Sequence, residues 1–206
     1  SARRWNRPQA QGDQKVAYFV DLYANHFDTD VGRALGEVLQ QNGIGLYVPP
    51  SQSASGISRL NSGDVRNARK IARKNVRLLA DAVRQGYHIV ATEPSALLCL
   101  KHEYPNLLDD EDAHLVAEHS SEACAYLWDL HQSKQLNLDF SRVDCRIAYH
   151  QPCHLRVLDP ECCATKLLSL IPGIEVENID AGCSGMAGTW GLQRKNYRSK
   201  IGRAHV

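Results

Sequence analysis

Short apolar runs alternate with segments of helical periodicity along the first part of the chain. The runs Lys15–Val20, Ile44–Val48 and His88–Thr92 are rich in apolar residues and predict three strands. Between them, Asp30–Gln41 and Asp64–Gln85 show helical spacing, and each is followed by a glycine that ends a helix well. One side of the first helix is apolar and carries Val31, Leu35, Val38 and Leu39. Strands that alternate with helices imply a mostly parallel sheet whose faces the helices cover.

The same order of elements begins again later in the chain. A short helix over Pro94–Lys101 and a longer one over Asp109–His131 precede a polar connection. The elements predicted after it are, in order, a strand over Arg146–His150, a helix over Pro160–Ile171, a strand over Glu175–Ile179, a glycine-rich loop and a helix beginning near Leu192.

The two halves are related as an imperfect tandem repeat. Superposing the first strand of each half carries Leu22 onto Cys153 and Ala54–Gly56 nearly onto Cys183–Gly185. The predicted fold class is α/β, with two tandem Rossmann-like βα repeats and mostly parallel sheets. The second repeat ends before a third strand and is expected to be truncated. The predicted division is a linker at 1–14, a first repeat at 15–131, a connection at 132–144 and a second repeat at 145–206.

Composition and charge exclude several classes of protein. The 206 residues are 43% apolar and 23% charged, which is typical of a globular protein, and a formal charge of +1 argues against nucleic-acid binding. No apolar run approaches the roughly 20 residues of a membrane-spanning helix. Seven cysteines without a regular disulfide framework, and the lack of an apolar signal segment, predict a cytoplasmic protein. The missing initiator Met and the linker-like start favour a piece of a longer chain.

The second half carries the strings that point to a family. His150-Gln-Pro-Cys-His-Leu-Arg156 is followed, after a helix and a strand, by Cys183-Ser-Gly-Met-Ala-Gly188. These strings resemble the cysteine-rich CCG domain, which occurs in the iron-sulfur subunits of anaerobic glycerol-3-phosphate dehydrogenase and glycolate oxidase, in flavin-linked lactate-type dehydrogenases and in heterodisulfide reductase. The resemblance runs from about Lys15 to the end of the chain and includes Gly63-Asp64 and Pro94-Ser95.

The resemblance implies a metal centre at the ends of the strands. Cys153 follows the first strand of the second half and Cys183 follows its second strand, and ligands of parallel sheets gather at that edge. As in the family, these two cysteines are expected to bind a [4Fe-4S] cluster or a zinc ion in the intact parent protein, with further ligands beyond Val206. The residues expected to support them from the same loops are His154, Arg156, Gly185 and Gly188.

The first repeat departs from the family pattern. The positions at which the family has cysteines are occupied by Leu22, Ala54, Ser55 and Ala96. None of these side chains provides a thiolate for iron, so this repeat is expected to hold no cofactor. For Cys153 and Cys183 the alternative interpretation is that they are buried thiols packed as small apolar side chains.

The remaining cysteines and histidines show no spacing typical of a metal site or an activated nucleophile. Cys162-Cys163 is the most conspicuous pair, but it falls in a predicted helix where the family has no ligands, so no role is predicted for it. Cys99, Cys124 and Cys145 are interpreted in the same way. No catalytic residue is predicted, and the chain is expected to be a domain of an FAD-linked iron-sulfur oxidoreductase that is not catalytic by itself.

One predicted helix is strongly basic. Its cationic residues are Arg66, Arg69, Lys70, Arg73, Lys74 and Arg77. A charge run on a helix is usually a solvated face. The functional alternative is docking onto an acidic partner surface or onto anionic lipid headgroups. The expected location is the cytoplasm, either free or peripheral at the inner face of the cell membrane.

Three hypotheses for the function remain open at this point. The first is an electron-transfer domain that relays electrons from FAD-dependent oxidation of a glycerol-3-phosphate or 2-hydroxy acid type substrate toward a quinone-type acceptor. Its partners would be a flavoprotein dehydrogenase domain or subunit, which holds the FAD, and a ferredoxin-type domain. The second is a scaffold or interaction domain without a cofactor. The third is thiol chemistry like that of heterodisulfide reductase, which needs a complete cysteine set in one repeat.

Overall fold

A four-stranded parallel sheet forms the centre of the first part of the structure, residues 14–132. The structure, a computed structural model, describes residues 14–179, 182, 193–196 and 198. The bounds of the four strands are Lys15–Tyr18 for β1, Gly45–Tyr47 for β2, Tyr87–Ala91 for β3 and Ser120–Glu122 for β4. They stand in the order β2-β1-β3-β4, and all three pairings are parallel.

Helices connect these strands and cover both faces of the sheet. Their bounds are Leu22–His26 for α1, Thr29–Gln41 for α2, Ile57–Asn61 for α3, Val65–Arg84 for α4, Pro94–Leu98 for α5, Tyr104–Leu108 for α6, Glu111–Glu118 for α7 and Ala123–Gln132 for α8.

The sheet separates two apolar layers. Because consecutive side chains of a strand point to opposite faces, Ala17 belongs to the core cluster that includes Leu79 of α4, and Val16 belongs to the cluster that includes Leu39 of α2. All four side chains are fully buried. A strand buried on both faces must be apolar at every position, which explains why β1 reads as a continuous apolar run.

A wide, π-helical turn at Cys99–Glu103 joins α5 to α6. Pro105 lies just beyond this turn and has no N–H to donate, so a regular α-helical ladder cannot pass through it. The wider π-helical turn accommodates the missing hydrogen bond, so the segment remains helical. It buries Cys99 and places Tyr104, which is fully buried, under the loops at the end of the sheet.

A smaller parallel pair of strands forms the second part, residues 145–179. Its elements are β5 at Cys145–Tyr149, α9 at Cys153–Leu158, α10 at Cys163–Leu168 and β6 at Ile174–Asn178. β5 pairs with β6 in parallel. Helix α9 packs on α5 and α10 packs on α8, so the second part rests on helices of the first.

The predicted α/β class with parallel sheets is confirmed, but the sequence missed one strand. The segment Asp109–His131, predicted as one helix, forms α7, β4 and α8. Strand β4 is a polar stretch of three residues, Ser120–Glu122, without the apolar pattern on which strand prediction depends. On α2, Val31 and Val38 were expected on the buried side but are 42% and 37% exposed.

Short helices also form where the sequence predicted no helix. Helices α1, α3 and α9 have five or six residues, too few to show a helical period. The helix predicted over Pro160–Ile171 is shorter than expected, because Cys162 adopts a left-handed φ of 56° and α10 begins only after it. The helix expected near Leu192 lies outside the described residues.

We expect Leu79→Ala to lower the free energy of unfolding by about 2 to 5 kcal/mol, because it removes a fully buried side chain from between α4 and the sheet. Leu138→Ala is the matched control, since Leu138 is 48% exposed, and it should cost far less. Urea unfolding followed by circular dichroism measures both. Equal costs for the two substitutions would show that α4 does not pack as described.

Candidate functional site

The carboxyl edge of the four-stranded sheet is where ligands of such folds bind. Because β2 lies on one side of β1 and β3 on the other, the loops after β1 and β3 diverge at this edge and form a crevice. Asp21 follows β1 and Glu93 follows β3. The crevice of the first part therefore carries two carboxylates rather than thiols.

Glu93 closes the amino end of α1. Its carboxylate accepts the backbone N–H of Ala24 at 2.9 Å and also that of Tyr23. Asp21, directly before α1, does not cap the helix with its side chain and instead accepts the N–H of Ser55 at 3.0 Å. Desolvation by burial raises the pKa of Glu93. The amino end of the helix, which would otherwise attract an external anion, is thus occupied by a carboxylate of the protein itself.

Asn75 of α4 ties the loop after β2 to α6. Its fully buried side chain accepts the N–H of Ser53 at 2.8 Å and donates to the carbonyl oxygens of Ser53 and Ala54 at 3.1 and 3.3 Å. It also donates to the Tyr104 hydroxyl at 2.9 Å, and this hydroxyl donates to the Ser55 carbonyl at 2.9 Å. Burial raises the pKa of Tyr104, so the hydroxyl keeps its proton. Hydrogen bonds within the protein therefore fix this loop.

A cavity of about 240 Å³ lies beyond the carboxyl ends of β1 and β2. Leu22 and Ala54, two of the positions at which the family has cysteines, both line it, together with Asp21 and Gln52. Ala96, another of these positions, is fully buried. The structure thus brings the predicted positions to one edge, but none of the side chains there ligates iron.

Cys99 is a thiol close to this edge. Desolvation by burial, followed by the negative charges of Asp21 and Glu103, raises its pKa to about 12. The thiol is therefore protonated at neutral pH, whereas a metal ligand or a nucleophile must be a thiolate. Cys99 is a core side chain of the first part.

Cys153 occupies in the second part the position that Leu22 occupies in the first. Leu22 is the first residue of α1, four residues after the end of β1, and Cys153 is the first residue of α9, four residues after the end of β5. The two residues therefore have the same relation to strand and helix, as the repeat alignment predicts. Unlike Leu22, Cys153 carries an exposed thiol.

The surroundings of Cys153 link the two parts. The next residue, His154, shares a hydrogen bond of 2.9 Å between its Nδ1 and the hydroxyl of Ser95, which lies on α5 of the first part. Arg156 donates from Nε to the Gln151 carbonyl at 3.3 Å. A cavity of about 350 Å³ at the ends of β5 and β6 is lined by Gln151, Arg156, Pro160 and Asn178.

The residues that the structure describes do not by themselves form a metal site. No group of three or more His, Cys, Asp or Glu side chains among them is placed to hold a metal ion. Cys153, His154 and Arg156 lie together on α9, and the basic residues predicted for docking are exposed along α4. The predicted site residues that lie outside the described part of the chain are Cys183, Gly185 and Gly188.

A buried cluster of carboxylates and thiols, which the sequence did not predict, lies where the second part contacts the first. Glu122 caps α8 by accepting the N–H groups of Cys124 at 2.6 Å and Ala125 at 3.1 Å. Asp159, between α9 and α10, accepts the N–H of Cys163 at 2.7 Å and its thiol at 3.3 Å. Glu122 and Asp159 are only 7% and 5% exposed. Nothing in the sequence relates these distant positions, so no local pattern could have indicated the cluster.

The environment of this cluster favours its protonated groups. Desolvation by burial raises the pKa of Glu122 to about 7, and the charge of Asp159 contributes. Burial, followed by the charge of Glu122, raises the pKa of Cys124. Burial, followed by the hydrogen bond to Asp159, raises the pKa of Cys163. These thiols are therefore poor nucleophiles at neutral pH.

Residues 16–101 match the model of the cysteine-rich domain family, CCG. This segment belongs to that family, and the resemblance predicted from the sequence is confirmed. The matched segment contains β1 to β3 and the crevice with Asp21 and Glu93. It matches without cysteines at Leu22, Ala54, Ser55 or Ala96.

The chain is similar to a component of the anaerobic glycerol-3-phosphate dehydrogenase from Escherichia coli strain K12, with 32% identity over 201 residues that cover 95% of this chain and 50% of that protein. It is also similar to lactate utilization protein A from Halalkalibacterium halodurans, with 28% identity over 188 residues, 87% of this chain and 73% of that protein. The same protein from Bacillus cereus strain G9842 is 26% identical over 187 residues, 87% and 75% of the two chains.

The chain thus spans half the length of the dehydrogenase component and about three quarters of the lactate utilization proteins. The family is associated with oxidoreductases, since one of these relatives is named as a subunit of a dehydrogenase. Among the described helices, none is both long enough and apolar enough to span a bilayer.

We expect Asn75→Ala to lower the free energy of unfolding by about 2 kcal/mol or more, because it leaves buried groups of Ser53, Ala54 and Tyr104 without their partner. Asn67→Ala is the matched control, because Asn67 is an exposed asparagine on the same helix. Urea unfolding measures both. If the two variants were equally stable, the network around Asn75 would not hold the edge.

We expect Glu122 to make stability depend on pH. Its pKa rises from 4.5 to about 7 on folding, so between these values the folded state holds a proton that the unfolded state has released, and stability falls as pH rises. In Glu122→Gln the amide oxygen still accepts both N–H groups but does not titrate. The free energy of unfolding of the variant, relative to that of the wild type, should therefore increase as pH rises through this range. The increase is at most about 1.4 kcal/mol per pH unit.

Urea unfolding of both proteins from pH 4.5 to pH 8 tests this prediction. The difference between the two stability curves must be used, because partly buried His88 changes stability with pH in the opposite direction. Its pKa falls from 6.5 to about 4 through desolvation, so its contribution to stability is lost as pH falls. A constant difference between wild type and variant would contradict the assignment of Glu122.

Proposed function

We propose that this chain is the iron-sulfur electron-transfer part of a flavin-linked dehydrogenase. The observation that carries the proposal is the placement of Cys153, an exposed thiol that opens a short helix at the carboxyl edge of a parallel strand, beside a cavity. Ligands of parallel α/β folds bind at that edge, and one relative is a dehydrogenase subunit. In the intact parent, Cys153 and Cys183 would be thiolate ligands of a [4Fe-4S] cluster.

The proposed organisation is two repeats with different tasks. The first repeat, 15–131, would be structural, because carboxylates and an amide stabilise the edge where the family has cysteines. The second repeat, 145–206, would hold the metal centre, with 132–144 as the connection and 1–14 as a linker. The hydrogen bond between Ser95 and His154 would let the first repeat fix the helix that carries Cys153.

The residues of this chain would bind and orient the cluster, while a bound [4Fe-4S] cluster supplies one-electron chemistry. Arg156 is anchored to a backbone carbonyl beside the cavity, so its charge is held near Cys153. Gly185 and Gly188 would allow the backbone to approach the cluster closely, since glycine has no side chain to hinder it. No side chain is assigned to acid-base catalysis, in keeping with electron transfer.

The partners in this proposal are a flavoprotein dehydrogenase domain or subunit, which binds FAD, and a ferredoxin-type domain. Electrons would pass from oxidation of a glycerol-3-phosphate or 2-hydroxy acid type substrate toward a quinone-type acceptor. The relatives named for glycerol-3-phosphate dehydrogenase and for lactate utilization support both substrate types. The proposed location is the cytoplasm, either free or at the inner face of the cell membrane.

A scaffold role without a cofactor is the second candidate. The observation in its favour is the crevice of the first part, where Glu93, Asp21 and Asn75 satisfy the backbone groups of the loops. A similar arrangement in the second part would leave the protein without a metal. A zinc ion at Cys153 and Cys183 would be structural, because zinc has no redox chemistry. Thiol chemistry like that of heterodisulfide reductase has less support, since the first part lacks the required cysteine set.

The test is the iron, sulfide and zinc content of the anaerobically purified parent protein, with electron paramagnetic resonance on reduction. We expect iron and sulfide in the wild type and their loss in Cys153→Ala and in Cys183→Ala. Cys145→Ala is the matched control, because Cys145 is also exposed but lies at the opposite end of β5, and it should retain the cluster. A wild-type protein without metal would favour the scaffold role, and zinc alone would favour a structural site.

A further inference from the structure

Helix α4 has one apolar face and one cationic face. Its apolar residues, such as Ala72, Val76 and Leu79, are buried in the core against the sheet. The opposite side carries six exposed cations, here called the basic face: Arg66, Arg69, Lys70, Arg73, Lys74 and Arg77. These residues extend over about 16 Å of helix. The side of α4 that is free to contact another molecule is therefore wholly cationic at these positions.

The cations of the basic face differ from the other exposed arginines in their ion pairing. Other exposed arginines have acidic neighbours: Arg33 pairs with Asp30, Arg84 with Asp112 and Arg142 with Asp144. By contrast, no member of the basic face forms an ion pair with any residue in the described part of the chain. Asp64, which pairs with Arg59, also interacts electrostatically with Lys70. The six adjacent cations outnumber this acid and repel one another, and an acidic surface would relieve this repulsion.

Two members of the basic face are held in fixed positions. The Arg69 guanidinium donates to the Leu107 carbonyl at 3.0 Å, and the Lys74 ammonium donates to the Ser53 hydroxyl at 2.9 Å. Cations fixed in this way present a defined pattern, which suits carboxylates at fixed positions on a protein better than the mobile headgroups of a bilayer. Four of the six are arginines, whose planar guanidinium groups pair with carboxylates through two hydrogen bonds.

The basic face also lacks the apolar side chains that anchor a helix in lipid. Interfacial helices insert large apolar residues such as Trp, Phe and Leu into the acyl boundary. On α4 the one large apolar residue that is exposed is Val65, at the first position of the helix and outside the basic face. An acidic protein surface is therefore the occupant that the structure favours.

The basic face lies next to the carboxyl edge of the sheet. Ser53, which accepts from Lys74, belongs to the loop that Asn75 fixes at this edge. A partner bound to α4 would thus contact the molecule beside the edge where ligands of the fold gather. We propose that the basic face docks an acidic protein surface. Resting on the function proposed above, that surface belongs to the flavoprotein component of the dehydrogenase.

The test compares two triple variants of the parent protein that remove the same charge. Arg66, Lys70 and Arg73 are each changed to Gln in the first, because they are members of the basic face without a fixed contact. The control changes Arg33, Arg84 and Arg142 to Gln. These three arginines are exposed, lie outside the basic face and each form an ion pair with an aspartate. Binding of each to the purified flavoprotein component is measured at about 0.1 M and about 1 M salt.

We expect the first variant to bind the flavoprotein about tenfold more weakly than the wild type at low salt, because it cannot form three of the exposed ion pairs with the partner. The control should bind like the wild type. At high salt, where the screening length falls to about 3 Å, the difference between variant and wild type should disappear.

Equal weakening in both triple variants, or no weakening in the first, would overturn the proposal. So would a wild-type protein that does not bind the flavoprotein. Vesicles of equal parts phosphatidylserine and phosphatidylcholine test the lipid alternative: loss of vesicle binding with unchanged flavoprotein binding would assign the basic face to a membrane. Iron content measured on the same preparations keeps the two proposals apart, because a metal-free protein that still docks through α4 contradicts the electron-transfer function alone.

Discussion

The buried amide of Asn75 is the interaction on which the carboxyl edge of the first repeat depends. The amide forms hydrogen bonds both to the loop after β2 and to the Tyr104 hydroxyl. That hydroxyl in turn donates a hydrogen bond to the same loop. Helix α4 supplies Asn75 from one side, its core face, and the cations from the other. Packing of α4 against the sheet therefore positions both the edge and the surface proposed for docking.

The amino ends of α1 and α9 occupy corresponding places in the fold but carry different side chains. At α1, the carboxylate of Glu93 accepts the first N–H groups of the helix. At α9, the corresponding first residue is an exposed cysteine, and its neighbour His154 bonds to Ser95 of the first repeat. The first repeat thus uses its own side chains where the second presents a thiol, and it contributes to positioning that thiol.

Patterns along the chain predicted the strands β1, β2, β3, β5 and β6 and the long helices, because continuous apolar runs and helical periods are strong local signals. They failed at β4, whose three polar residues are a strand only because β3 pairs with them. The position of Cys153 at a strand end was predictable from order alone. The electrostatic interaction of Glu122 with Asp159 was not predictable, since it arises where the two parts pack and leaves no spacing in the sequence.

The carboxylates of the first repeat determine whether a cluster site could be built there. A cysteine placed at Leu22 would open α1 with its first N–H groups already bound to Glu93, and one placed at Ser55 would lie beside Asp21. The carboxylates of Asp21, which is buried, and Glu93, which is partly buried, would raise the pKa of such thiols and repel an anionic cluster. Cysteines introduced at these positions would therefore not create a cluster site unless the acids were replaced as well.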